Sequence, residues 1–426
     1  MHVNPNIRYS IRTKRQQLMN QVIDKILACS KPFEDSDFMP NVLGEYRHEA
    51  VNGHIPVILF GAGSLGIRLC NALRINGVNI SCFCDNDPEI IGGECAEHPV
   101  ISTEHLKRDH LESLIIISVS RSRVQEIRNQ LLSLGFSNDS ISIPPFDSLL
   151  YYSNVVKLYW SIYDLHAHAE QLKDTYDLLF DHKSKELFIH RMALFAGGFD
   201  YRSFERFIDT FADLISNRSP DLFSSPRYDE NHFYFNSDFL PLDKNEVFAN
   251  VGALVGECAI EFAKACEAKG FKYREIVNFE PDPSNFLLLR ANMEHLKNVT
   301  CLPYGLWSHR SSLRFSNPAQ SALAGTPGWL DENGDQVVQV VSLDEELPNA
   351  NITFMKMDVE GAENEAIKGA AETIRRNKPK LAISLYHKRD DIFEIPLLIH
   401  QLYPGYKFYL RHHSTTFSET VLFAVP

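Results

Sequence analysis

Two residues late in the chain combine the right chemistry with the right placement for moving a proton. His387 follows the apolar run Leu381-Ala382-Ile383-Ser384-Leu385 and Tyr386, and Asp358 follows Ile352-Thr353-Phe354-Met355-Lys356-Met357. Runs of that length and composition read as strands of a buried sheet, so both side chains stand where a strand ends. A nucleophile that carries a proton attacks poorly until a base takes it. A histidine, with a reference pKa of about 6.5, suits that task near neutral pH. His387 is therefore the expected base. Asp358 is the second candidate, or else it orients substrate or cofactor together with Glu360. A histidine at a strand end can also be a satisfied structural donor, and acids that open a helix favour its dipole. The elements around them have to decide.

The stretch that could hold a ligand beside them runs from Val247 to Glu280. Val247-Phe248-Ala249-Asn250-Val251 is a short apolar run, Gly252-Ala253-Leu254-Val255-Gly256 a turn, and Glu257 to Lys269 a helix closed by Gly270. A second strand, Glu275 to Phe279, ends at Glu280. Gly252 and Gly256 would let a ligand approach the backbone, the helix start offers free N–H groups, and Glu280 could accept both hydroxyls of a ribose. A pyrophosphate binder favours G-x-G-x-x-G, which this turn lacks. A nucleoside without phosphates fits better, and S-adenosylmethionine is such a ligand.

Upstream, a second unit of the same kind does carry that spacing. Val57-Ile58-Leu59-Phe60 is a strand, Gly61-Ala62-Gly63-Ser64-Leu65-Gly66 the turn, and a helix follows to about Asn76, closed by Gly77. The strand Ile80 to Cys84 ends at Asp85, near the position of a ribose-binding acid. A run from Leu114 to Val119, a helix from Arg121 to about Leu134 and a strand over Ser140 to Ile143 continue the alternation, which implies a parallel sheet. Cys82 and Cys84 share one strand face as core thiols. Such a unit can bind a nucleotide or nucleotide-sugar, bind NAD, or serve as scaffold.

Around these units, residues 1–50 read as a helical lead-in with helix-period positions Leu18, Val22, Ile26 and Leu27. The expected domains are that lead-in, a Rossmann-like unit over 51–148, a helical bridge and connector over 149–240 with a polar stretch at 217–230, and a C-terminal domain over 241–426. Pro283 suits the first turn of a helix running to about His295, and Asn364 to Asn377 reads as one helix. Residues 317–335, rich in Ser, Ala, Gly, Pro and Asn, read as a lid or a surface insertion.

At 426 residues the chain holds two or three domains. A net charge of −13 leaves no basic excess for nucleic acid. No apolar run reaches the roughly 20 residues of a membrane span, and the polar start does not read as a signal peptide. The eight cysteines form no C-x-x-C pair and no His/Cys set at metal spacing, so no metal is expected and a reduced, cytoplasmic setting follows. Carboxylates alone do not reveal a metal, and self-association stays open.

Two resemblances sharpen the reading. Val57 to Gly66, Phe83-Cys84-Asp85-Asn86-Asp87, Gly92-Gly93 and His98-Pro99-Val100-Ile101 resemble the N-terminal nucleotide-sugar-binding domains of bacterial sugar-modifying transferases, which implies that Gly61, Gly63, Ser64, Gly66 and Asp85 line a site. Glu246 to Ala253, Phe279-Glu280-Pro281, Ser342-Leu343-Asp344-Glu345, Lys356 to Glu363 and Tyr386-His387 resemble the motif series of the FkbM-type methyltransferases. Leu178 to Asp181 and Ser184 to Phe188 resemble the helical segment that precedes that domain. The resemblance implies an α/β protein with two Rossmann-like domains, the C-terminal one a seven-stranded methyltransferase fold, joined by a helical segment. It implies methyl transfer from S-adenosylmethionine to an oxygen, often of a sugar or secondary metabolite, with Asn250, Gly252, Ala253, Gly256, Glu280 and Glu360 at the cofactor. Asn250 stands where the family usually has an aspartate near the methionine moiety. That substitution keeps a non-catalytic nucleotide-sugar-binding protein open as an alternative, beside an NAD-dependent oxidoreductase acting through Gly61 to Asp85.

Overall fold

The computed structural model describes residues 20–31, 37–212, 234–235, 239–316, 329–330, 334, 336–414 and 417–426. The early part of the expected lead-in helix, the connector at 217–230 and most of the expected lid lie outside them. Contacts within the chain define two compact units, one of Ile23–Ala167 with Ile189–Phe207, the other containing His168–Phe188 and Ile208–Pro426.

The first unit is built on a six-stranded sheet. Its strands are β1 (Val57–Phe60), β2 (Cys82–Cys84), β3 (Glu94–Cys95), β4 (His98–Ile101), β5 (Leu114–Ile117) and β6 (Ile141–Ser142), ordered β3-β4-β2-β1-β5-β6. All neighbours are parallel except the hairpin β3–β4. Every residue of β1 and β5 is buried, as expected for parallel strands covered on both faces. Cys82 and Cys84 lie with Ile58, Phe60, Ile115 and Ile117 in one apolar cluster, and burial pushes the Cys82 thiol up to about 11. Strand β2 is shorter than expected, starting at Cys82, and β6 spans only Ile141–Ser142. The hairpin was not expected as strands. Its turn residues are Ala96 and Glu97, both at positive φ (47° and 68°), so the Asn-Gly signature of such a turn is missing.

The second unit carries a seven-stranded sheet: β7 (Val247–Val251), β8 (Glu275–Phe279), β9 (Val299–Leu302), β14 (Phe354–Met357), β15 (Lys380–Ser384), β16 (Lys407–His412) and β17 (Thr420–Val425), ordered β16-β17-β15-β14-β7-β8-β9. Strand β17 runs antiparallel to both of its neighbours and the other pairs are parallel. Between β9 and β14 the chain forms a second sheet, β10 (Gly305–Leu306), β11 (Ser311–Ser316), β12 (Trp329–Leu330) and β13 (Gln336–Val341), ordered β10-β13-β11-β12. The Trp329 end of the expected lid is thus a strand paired with β11. The helix expected over 364–377 is two, Glu363–Gly369 and Ala371–Asn377. Gly369 is where the backbone carbonyl of Trp307 comes so close that a Cβ would collide with it.

Strand β16 also anchors the upstream helical segment of this unit. Phe180 N–H donates to Phe408 O at 2.8 Å, and Arg411 pairs with Asp181 at 2.6 Å. Strand order in the sheet reverses between β7 and β14. The chain builds outward from β7 to β9 on one side and from β14 to β15 on the other, and the crevice beyond the carboxyl ends of β7 and β14 is where such sheets bind ligands.

Candidate active site

Register brings the motifs to that crevice. Val251 pairs with Met357 and Met357 with Ile383, so Gly252, Asp358 and Ser384 are the next residues along three adjacent parallel strands. Gly252 has φ +74°, and the carbonyl oxygen of Asp358 fills the place where a Cβ would stand. The glycine turn and the end of β14 are therefore in contact, and the missing side chain of Gly252 admits protein backbone. Gly256, at φ +98°, fits under Met293 and Leu289, 2.6 and 2.9 Å from its absent Cβ. Glu280 clamps the turn. One carboxylate oxygen accepts the Leu254 N–H at 2.8 Å and the other the Asp282 N–H at 2.9 Å. Burial outweighs those bonds and pushes its pKa up to about 7.

Asn250 is wholly buried. Its Nδ2 donates to Asn278 Oδ1 at 2.9 Å across the β7–β8 pair, while its Oδ1 has no hydrogen-bond partner among the described residues. Ala253 N–H and Gly252 N–H both donate to Phe279 O, at 2.9 and 3.1 Å. Asn250, Gly252, Ala253, Gly256 and Glu280 thus lie along one strand, its turn and the neighbouring strand end.

Asp358 and His387 meet beside this turn. His387 Nδ1 is 2.8 Å from Glu363 Oε1, and its Nε2 faces Asp358 Oδ1 at 3.4 Å and Glu360 Oε2 at 3.6 Å. Burial works against a charged imidazole, but the bond to Glu363 and the three carboxylates outweigh it and raise His387 to about 9. The free chain therefore holds this histidine protonated at neutral pH, where an ordinary imidazole would be mostly neutral. Tyr386 donates its hydroxyl to Asp358 Oδ1 at 2.9 Å, and Lys356 Nζ lies 3.8 Å from Asp358 Oδ2 and 3.2 Å from Gly252 O. Burial opposes the Asp358 charge, yet Lys356 and His387 hold its carboxyl below the ordinary range. Glu360, at φ +52°, and Gly361, at +95°, turn the chain so that Glu363 points back at His387.

Three of these partners were not among the expected site residues. Lys356 is the one charge in the buried strand Phe354–Met357, and a lysine there is the signal that could have found it. Glu363 opens a helix, a position that the dipole already explains. Tyr386 stands next to His387, with ring centroids 4.1 Å apart.

In the first unit, Gly61 N–H donates to Cys84 O at 2.8 Å and Ser64 opens the helix Ser64–Ile75. Asp85 is already engaged: Oδ2 accepts the Ala62 N–H at 2.8 Å, and Oδ1 accepts those of Asn86 and Asp87 at 2.7 and 3.1 Å. A Cβ at Gly66 would meet the carbonyl of Gly61, whereas one at Gly63 would have open space around it.

Residues 246–408 match the methyltransferase FkbM domain, and residues 54–142 match the C2185-like N-terminal family. No curated protein matches the chain. Among solved structures, the methyltransferase FkbM from Methylobacillus flagellatus KT superposes with a TM-score of 0.56 at 18% identity, covering 96% of this chain and 100% of its own. Aeropyrum pernix fibrillarin with natively bound S-adenosyl-L-methionine has a TM-score of 0.28 at 9% identity, over 44% of this chain and 69% of its own. An rRNA methylase from Streptococcus thermophilus has 0.26 at 12%, over 43% and 86%. The N-terminal match is thus to a C2185-like family, without support for the nucleotide-sugar assignment, and the match to the FkbM methyltransferase domain spans residues 246–408.

Proposed function

We propose that the chain is an S-adenosylmethionine-dependent O-methyltransferase acting on a hydroxyl of a sugar, glycoconjugate or secondary metabolite. The observation that carries this reading is the contact between the Gly252 turn and Asp358 at the switch point of the sheet, with His387 3.4 Å from that carboxylate. The residues fit the cofactor: Glu280 is a buried acid beside the turn, suited to ribose hydroxyls, and Asn250, Gly252, Ala253 and Gly256 form the wall next to it. Bound S-adenosylmethionine supplies an electrophilic methyl group on a sulfonium sulfur. The chain has to align a hydroxyl oxygen with that group and remove its proton. Glu363 fixes His387 Nδ1, which leaves Nε2 to receive the proton, while Tyr386 and Lys356 hold Asp358 ionised beside it. Because the free chain keeps His387 charged, it becomes a base only once it has given up that proton.

The N-terminal turn is part of the same reading as a nucleotide-sugar site, supported by the open space at Gly63 before the helix Ser64–Ile75. A reduced, cytoplasmic setting accords with eight cysteines that include no C-x-x-C pair. Calorimetric titration of S-adenosylmethionine and S-adenosylhomocysteine tests the cofactor site, with binding expected in the wild type and lost in Glu280→Ala. A wild type that binds neither would defeat the proposal. In acceptor assays, His387→Ala is expected to reduce turnover about 100-fold or more with cofactor affinity nearly intact; unchanged turnover would remove His387 from the mechanism.

A further inference from the structure

We propose that the corner made by Asp358, Glu363 and His387 binds a divalent first-row transition-metal ion. These side chains offer one ligand atom each, all within 4.8 Å of one another. His387 Nε2 stands 3.4 Å from Asp358 Oδ1 and 3.6 Å from Glu360 Oε2. Those separations are long for hydrogen bonds. They match donors sharing one ion, because two ligands at about 2.1 Å in a tetrahedral arrangement stand about 3.4 Å apart.

Unused donor capacity points into the same corner. The side chain of His387 is only 8% exposed, yet its Nε2 has no hydrogen-bond partner among the described residues. Glu363, 0% exposed, lies at the other ring nitrogen, Nδ1, and its own Oε2 has no hydrogen-bond partner among the described residues. Buried polar atoms are normally bonded, so a buried Nε2 left open toward Asp358 and Glu360 calls for an explanation. Charge agrees. Three carboxylates, Asp358, Glu360 and Glu363, surround one imidazole, and Lys356, 3.8 Å from Asp358, with the proton on His387 that an ion would displace, leaves them in excess among the described residues. An outer layer already holds the ligands in place: the Tyr386 hydroxyl donates to Asp358 and the Val359 N–H to Glu363 Oε1, each at 2.9 Å. Imidazole mixed with carboxylate suits Mn²⁺, Fe²⁺, Co²⁺ or Zn²⁺ better than Mg²⁺ or Ca²⁺, which prefer oxygen alone.

An ion here makes His387 a ligand, and a hydroxyl bound to the ion becomes a stronger acid without a protein base. That use rests on the methyltransferase reading, whereas the binding itself does not. The test uses the full chain, stripped with EDTA, desalted and titrated with Mn²⁺ while free ion is followed by electron paramagnetic resonance. Saturation at one Mn²⁺ per chain is expected, with Zn²⁺ displacing it and Mg²⁺ failing to do so at equal concentration. His387→Ala and Glu363→Gln should each weaken binding about tenfold or more. Since Glu363→Gln could disturb folding, nitrogen modulation in the spin-echo signal of bound Mn²⁺ provides a second readout, present in the wild type and absent in His387→Ala. No saturable binding in the wild type, or affinity and nitrogen signal unchanged in His387→Ala, overturns the proposal. S-adenosylmethionine titrated into the stripped chain separates the two readings: cofactor binding without an Mn²⁺ site ends the metal proposal alone, and an Mn²⁺ site without cofactor binding ends the methyltransferase reading alone.

Discussion

The chain contains two glycine turns built to the same plan and set in different surroundings. In both, an acid ending the second strand clamps the turn, Asp85 through Ala62 N–H and Glu280 through Leu254 N–H, each at 2.8 Å. The difference lies at the next strand over. Beyond β5, Ser118 spends its hydroxyl on the carbonyls of Phe60 and Gly61, at 3.1 and 3.2 Å, closing the turn onto its neighbour. Beyond β14 and β15 stand Asp358 and His387, with Glu363, Lys356 and Tyr386 around them. A glycine turn with its acid clamp is therefore a way to pass from strand to helix, and it gains chemistry only where neighbouring strand ends supply titratable groups.

The sharpest way to break this comparison is one methyl group in each turn. Gly252→Ala puts a Cβ onto the Asp358 carbonyl at a positive φ, whereas Gly63→Ala enters open space at a φ of −81°. The first should cost about 3 kcal/mol or more, the second less than about 0.5 kcal/mol. Hydrogen exchange read separately over residues 247–251 and 57–60 would show it as lost protection in the former variant only. Equal losses in both turns would mean that the contact between Gly252 and Asp358 does not set the second unit apart.

Much of this corner was legible because the strands of a covered parallel sheet are unbroken apolar runs. Against Phe354–Met357 and Lys380–Ser384, the polar residues that follow, Asp358 and Tyr386-His387, stand out as strand ends. Glu363 was hidden by a sufficient local explanation, an acid favouring the start of its helix, and only the turn at Glu360 and Gly361 aims it at His387. The premise of a near-neutral His387 failed for a related reason: its reference pKa knows nothing of three carboxylates that the fold gathers around it. The sheet β10–β13 escaped because its alternation, with Phe315, Val338 and Val340 buried, is split by a loop-like stretch. The break after Gly369 has a single glycine as its local signal, and what requires that glycine is the carbonyl of Trp307, distant in sequence.

A second contrast is electrostatic. The second unit buries Glu261 on the helix Glu257–Ala268, and burial, reinforced by the nearby charge of Glu257, raises it from 4.5 to about 7. A carboxyl with a raised folded pKa keeps its proton in the native state between about pH 4.5 and 7 while the unfolded chain loses it. Its contribution to stability is full below the unfolded value and is lost as pH rises through the folded one. Glu261→Gln, which cannot ionise, should thus equal the wild type at pH 5 and exceed it at pH 8 by on the order of 1 kcal/mol, after allowing for solvent screening. Urea midpoints of the two proteins at both pH values measure this. A gap that is larger at pH 5 than at pH 8 would reverse the sign and place the ionised form as the favoured one.

The smallest expected effect tests why part of the first unit was invisible. The turn between β3 and β4 holds Ala96 and Glu97 at φ 47° and 68°, a conformation that side chains other than Asn and Gly adopt at a cost. Glu97 is exposed, and its ion pair with Arg74, at 3.8 Å between two exposed side chains, adds little. Replacing the pair with Asn-Gly supplies the residues that the mirror-image turn prefers. Ala96→Asn with Glu97→Gly should stabilise the hairpin by about 0.5–1 kcal/mol, seen as slower amide exchange over residues 94–101 and no change over 247–251. If exchange at the hairpin speeds up instead, the loss of backbone entropy at the new glycine outweighs the relief of the left-handed conformation, and Ala96 and Glu97 already suit the turn they occupy.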